Sequence, residues 1–115
     1  DLAEVDGTIR DFKTAKRTPP EDEVEKSIQL VAYALAYREL TGEKEAKVGL
    51  DYTVSLKSGI KVVRLETEID DQRIQRFKRL VKGVADSIKA GIFYPNEEGF
   101  GCSFCPYRDI CKGGK

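Results

Sequence analysis

The chain has 115 residues, 40% hydrophobic and 35% charged, and its 20 basic and 20 acidic side chains cancel to zero net charge. That is the size of one small domain and the balance of a folded globular chain rather than a disordered one. No apolar run approaches the roughly 20 residues a membrane span needs, no basic-then-apolar signal pattern opens the chain, and a neutral chain can offer a polyanion only local clusters of charge.

Histidine is absent, which excludes His-dependent catalysis and His-ligated zinc within these residues. The three cysteines are Cys102, Cys105 and Cys111. An odd set gathered at one end argues against a secreted disulfide framework and for a reducing, cytoplasmic compartment. Methionine is also absent, and the chain opens inside what reads as a strand. Part of the fold is therefore expected upstream of Asp1.

In chain order, residues 1–5 and 8–13 read as strands around Asp6-Gly7, a tight-turn signal. Thr18-Pro19-Pro20 breaks the second strand, and Glu21, Asp22 and Glu23 suit the N-terminal end of a helix. Val24, Ile28, Val31 and Leu35 fall at helical spacing, predicting one helix over residues 21–41 with Gly42 as its stop. Val48, Leu50, Tyr52, Val54 and Leu56 alternate with polar residues as in a half-buried strand. A turn at residues 57–59 leads to a return strand over 60–69, where the adjacent Val62 and Val63 suggest a bulge. A second long helix over residues 71–90 carries the stripe Ile74, Phe77, Val81, Val84 and Ile88, and Gly91 ends it. The order β-β-α-β-β-α predicts an α/β domain with a mixed central sheet flanked by helices. Residues 1–95 form its core, and residues 96–115 a cysteine-rich tail.

Asp11-Phe12-Lys13 is the first chemical signal. On a strand Asp11 and Lys13 share a face, and Phe12 points to the opposite, packed side. A carboxylate is a hard oxygen ligand suited to Mg²⁺ or Mn²⁺. A neighbouring lysine can orient or deprotonate a water, or neutralise a phosphate. Taken alone, Asp-x-Lys is also the pattern of a solvated charge pair. Asp1, across the hairpin, is a second acidic residue. A two-residue loop would place it opposite Phe12 on the wrong face, and a three-residue loop would place it opposite Lys13 beside Asp11. Gln29 and Tyr33 are four apart on one helix face, about 100° around from the Ile28 and Val31 stripe. Both hydrogen-bond well to phosphates or bases, although a polar rim with a half-buried Tyr would look the same.

Cys102-x-x-Cys105-Pro106 with Cys111 is the second signal. Cluster ligation and structural zinc each want four ligands, so the fourth lies upstream, is not a cysteine, or is lacking. Lys16 and Arg17 follow the Asp-x-Lys strand and are candidates for phosphate contact. Arg73, Arg76, Lys78, Arg79 and Lys82 read as the solvated face of the second helix. Tyr94, Phe100, Phe104 and Tyr107 are expected to pack beside the cysteines.

In their order and spacing, Asp1, Asp11-Phe12-Lys13-Thr14 and Gln29-Leu30-Val31-Ala32-Tyr33 resemble the PD-(D/E)XK nuclease superfamily, in particular its RecB-family and CRISPR-associated members with an iron–sulfur cluster. The resemblance implies a restriction-endonuclease-like core and metal-dependent exonuclease action on DNA single strands or ends, in recombination, repair, phage replication or CRISPR adaptation. It implies that Asp1, Asp11 and the backbone carbonyl of Phe12 hold Mg²⁺ or Mn²⁺, that Lys13 is the catalytic lysine, and that Gln29 and Tyr33 support the site. It also implies that Cys102, Cys105 and Cys111 hold a [4Fe–4S] cluster with one upstream Cys. The superfamily's upstream helix has no counterpart in this sequence, so the chain is expected to associate with itself or with a helicase or recombination partner. The other readings are an inactive DNA-binding or scaffolding module and a zinc-bound interaction domain.

Overall fold

A computed structural model of the chain describes residues 2–96 and 99–111. The elements are β1 (Leu2–Ala3), β2 (Ile9–Ala15), α1 (Glu23–Lys26), α2 (Ile28–Thr41), β3 (Val48–Leu56), β4 (Gly59–Thr67) and α3 (Asp71–Lys89), followed by a 3-10 turn (Phe100–Phe104) and α4 (Arg108–Cys111). The strands form one mixed sheet in the order β1-β2-β3-β4, with β2 and β3 parallel and the outer pairs antiparallel. The chain divides into two compact units, residues 1–81 and 82–115.

In the first unit the parallel β2–β3 pair needs a crossover, and α1 and α2 supply it. Period-2 alternation then sorts the side chains. Ile9, Val48, Leu50, Tyr52 and Val54 join Val24, Leu30, Val31, Ala34, Ile69 and Ile74 in one buried core. Asp11 lies among them, on the same face. The opposite face carries Arg10, Asp51, Arg64 and Glu66, together with Phe12, Ile60 and Val62, which are all exposed. Phe12 therefore does not point to a packed side.

The hairpin takes neither expected register. Leu2 pairs with Arg10 and Ala3 with Ile9. Glu4 N–H donates to Thr8 O at 2.8 Å, and the Asp6 carboxylate accepts from Thr8 N–H at 2.9 Å. Gly7 sits at φ 85°, and its carbonyl accepts from Ala46 N–H. Pairing of Gly7 and Ile9 with the start of β3 thus ends the hairpin early. A Cβ at Gly7 would lie 3.2 Å from the Tyr37 hydroxyl, so this position needs glycine for space as well as for its left-handed φ.

The helix expected over 21–41 is two helices. Ser27, with ψ 109°, is extended, and its hydroxyl accepts from Leu30 N–H at 3.3 Å to cap α2. The break resets the helical phase, so Leu30, Val31 and Ala34 are buried while Ile28 is 59% exposed. The expected bulge at Val62-Val63 is absent, because pairing runs unbroken from Val48↔Thr67 to Leu56↔Gly59. Ile69 lies beyond β4 and is buried in the core. Of the α3 stripe only Ile74 is buried and Phe77 partly so, whereas Val81, Val84 and Ile88 are exposed.

Candidate active site

Strand β2 and helix α2 bring together four of the residues singled out from the sequence. Lys13 Nζ lies 2.7 Å from Asp11 Oδ2 and donates to Gln29 Oε1, also at 2.7 Å. Gln29 Nε2 in turn donates to the Tyr33 hydroxyl at 2.8 Å. Within this chain of contacts, two periodicities account for the pairs Asp11 with Lys13 and Gln29 with Tyr33. The strand places residues two apart on one face, and the helix places residues four apart on one face. Parallel pairing with β3 then sets Tyr52 beside Lys13.

The electrostatics are asymmetric. Asp11 is 3% exposed, whereas the side chains of Lys13 and Gln29 reach solvent. Contact with Asp11 raises the Lys13 pKa above the ordinary lysine value, so Lys13 carries a full positive charge at neutral pH. Burial raises the Tyr52 pKa, and Glu23 and Asp11 add to the shift while Lys13 opposes it. Tyr52 was not singled out from the sequence. It reads there as one more inward residue of an alternating strand, and only the β2–β3 register marks it as a neighbour of Lys13.

Asp11 Oδ2 is buried and accepts no well-directed hydrogen bond. Lys13 approaches it closely but off the hydrogen-bonding directions. A buried carboxylate oxygen whose near neighbour is the Lys13 ammonium at 2.7 Å could exchange that contact for one coordination position of a hard divalent cation. The described residues supply this single position and gather no set of three Cys, Asp or Glu side chains able to hold a metal. Asp1, the second expected metal ligand, lies outside the described residues.

Lys16 and Arg17 lie exposed immediately after β2 and pair with no carboxylate among the described residues. In the second unit, Cys102 and Cys105 are partly exposed and Cys111 is exposed, all as free thiols. Cys102 Sγ donates to Asn96 O at 3.1 Å. The three sulfurs are not gathered as a metal-holding group. Tyr94, Phe100, Phe104 and Tyr107 are exposed, and the rings of Phe100 and Phe104 meet at 6.0 Å. This arrangement does not present a preformed cluster site.

Two ion networks escaped the sequence reading. Arg10 donates to Glu4, Asp51 and Glu66 at 3.0, 3.3 and 2.8 Å on the open sheet face. Arg38 grips both oxygens of buried Glu45 at 2.8 Å and also donates to Asp71 and Ile69 O. Asp51, Glu66, Asp71 and Ile69 lie between 31 and 56 positions from their arginines, and Glu4 and Glu45, six and seven positions away, lie outside the strand or helix that carries the arginine, so no local pattern announces them.

The family model for the PD-(D/E)XK nuclease superfamily matches residues 1–112. No curated protein and no solved structure matches the chain.

Proposed function

Because the chain belongs to the PD-(D/E)XK nuclease superfamily, we propose that it is a divalent-metal-dependent DNA exonuclease with its site at Asp11, Lys13, Gln29 and Tyr33. The carrying observation is the buried Asp11 oxygen beside a fully charged Lys13 that Gln29 ties to Tyr33. Asp11 would hold Mg²⁺ or Mn²⁺, with Asp1 and the Phe12 carbonyl as further ligands. The ion, when bound, supplies charge neutralisation at the scissile phosphate and a more acidic water. The protein's own groups do the rest. Lys13 would neutralise phosphate charge and orient or deprotonate the attacking water. Gln29 fixes the Lys13 ammonium, and the Tyr33 hydroxyl fixes Gln29, so Lys13 needs little reorganisation during the reaction. Lys16 and Arg17 would take flanking phosphates. Action on single strands or ends, and a place in recombination, repair, phage replication or CRISPR adaptation, belong to the same reading.

A [4Fe–4S] cluster on Cys102, Cys105 and Cys111 rests on their spacing and its resemblance to the superfamily's iron–sulfur members, and would require the three sulfurs to come together with a fourth ligand. Free thiols in this number fit a reducing compartment such as the cytoplasm. Among the described residues no helix is long and apolar enough to cross a membrane.

The test is cleavage of end-labelled single- and double-stranded DNA with Mg²⁺, Mn²⁺ or EDTA, using the parent chain, Asp11→Ala and Lys13→Ala. Metal-dependent cleavage should fall at least about a hundredfold in both variants. Intact DNA binding without cleavage under any metal would replace the enzyme by a binding module of the same fold.

A further inference from the structure

Helices α1, α2 and α3 line a cleft of about 480 Å³. Its floor is apolar, formed by Ile28, Val31, Phe77 and Leu80, and its rim carries Lys26, Arg73 and Arg76 against the single acid Glu25. Two features set it apart from ordinary surface. Ile28 and Leu80 are 59% and 49% exposed, so apolar area faces water inside a cleft instead of being covered. The three cations also have different ties. Arg73 donates to Glu25 O and so fastens α3 to α1, and Lys26 is paired with Asp22. Arg76 pairs with no carboxylate among the described residues. The lining thus joins apolar side chains to one guanidinium that has no carboxylate partner among the described residues.

We propose that this cleft binds a flanking nucleotide of a single-stranded DNA substrate, its base against Ile28 and Phe77 and its phosphate at Arg76. A nucleotide joins a flat, weakly polar ring to an anion, and the cleft offers the complement of both. A free phosphate would leave the floor uncovered, and a neutral apolar ligand would leave Arg76 unpaired. The volume is that of a small-molecule site and has no room for a base-paired duplex. The location fits a strand already held at Lys13. Successive residues of α2 serve both places, since Gln29 meets Lys13 while Ile28, with Val31, lines the cleft. The identity of the strand as substrate rests on the nuclease reading, whereas the existence of the cleft does not.

The experiment measures anisotropy of a labelled oligothymidine titrated with the full chain in EDTA over a range of salt, beside Arg76→Ala and Ile28→Ser. Both side chains are exposed, so both variants should keep the parent melting temperature. Each should weaken binding roughly tenfold, the scale of one stacked base or one phosphate contact. Arg76→Ala should flatten the slope of log affinity against log salt by about one, and Ile28→Ser should leave that slope unchanged. An iodouracil-substituted strand should photocrosslink to peptides containing Ile28 or Phe77. Parent-like affinity and slope in both variants would overturn the proposal, as would crosslinks confined to other peptides. The two readings fail separately. Asp11-dependent cleavage with binding indifferent to both substitutions removes the cleft alone, whereas Arg76- and Ile28-dependent binding without cleavage removes the enzyme alone.

Discussion

Lys13 has two partners with different roles. Asp11 supplies charge, and Gln29 supplies direction, because a planar amide fixed at its other end by Tyr33 leaves the ammonium one favoured position. Removing Gln29 should therefore leave the fold almost untouched and disturb the chemistry. Gln29→Ala is expected to change stability by less than about 0.5 kcal/mol, as for exposed positions. It should lower kcat/KM by about tenfold or more, as happens when a group orienting a catalytic residue is lost. A melting curve beside single-turnover kinetics separates the two, and parent-like kinetics would remove Gln29 from the site. The sequence showed Gln29 and Tyr33 as a pair because they share a helix. Asp11 and Lys13 were legible for the same reason, on a strand. The contact between the pairs was carried by the family resemblance rather than by any local spacing, and Tyr52 was carried by neither.

At the scale of elements, β2 is held from both faces. The catalytic candidates occupy one face, and on the other the Arg10 guanidinium gathers three carboxylates from the hairpin loop, β3 and β4. This network positions the strand that carries Asp11. Its hydrogen bond from Arg10 holds the Glu66 pKa below the ordinary value of 4.5. A lowered carboxylate pKa stabilises the fold fully above the unfolded value, and that contribution is lost as pH falls through the lowered one. Melting temperature should accordingly fall on the acid side of about pH 4.5, and Glu66→Gln should remove part of that slope. Arg10→Ala should cost about 3 kcal/mol at neutral pH, because among the described residues Asp51, 6% exposed, keeps only the Arg64 cation, at 3.4 Å. Denaturant titration reads this directly. Element type and order were legible from periodicity, while boundaries were not. Ser27 is a helix N-cap, but the apolar spacing runs straight across it and hides the break. At the hairpin, the pull of Gly7 and Ile9 toward β3 outweighs the Asp6-Gly7 turn preference, and that competition involves residues some forty positions away.

At the scale of the whole molecule, apolar surface outruns what the elements cover. Phe12, Ile60 and Val62 are 56%, 77% and 65% exposed on one sheet face, and Leu80, Val81, Val84 and Ile88 lie about half exposed along α3. Scattered exposed apolar residues are ordinary, but Ile60 and Val62 are neighbours on one face of β4, and Phe12 shares that sheet face from β2, which makes it a candidate interaction surface. The sheet face bears Arg10, Asp51, Arg64 and Glu66 beside its apolar residues, so the charges there are already largely matched within the chain. What a partner could add is apolar cover. Self-association of the isolated chain is the expected outcome, with sedimentation coefficients that rise with concentration over the micromolar range. A double substitution, Phe12→Ser with Val62→Ser, should move that curve to higher concentration. It should also leave the melting temperature unchanged or higher, since neither side chain belongs to the buried core. Strand pairing through the exposed edge of β4 predicts otherwise, because association would then survive the double substitution and yield instead to a proline at an edge position. A chain that sediments as a monomer at every concentration, with a sharp melting transition, would mean that this sheet face tolerates water without a partner.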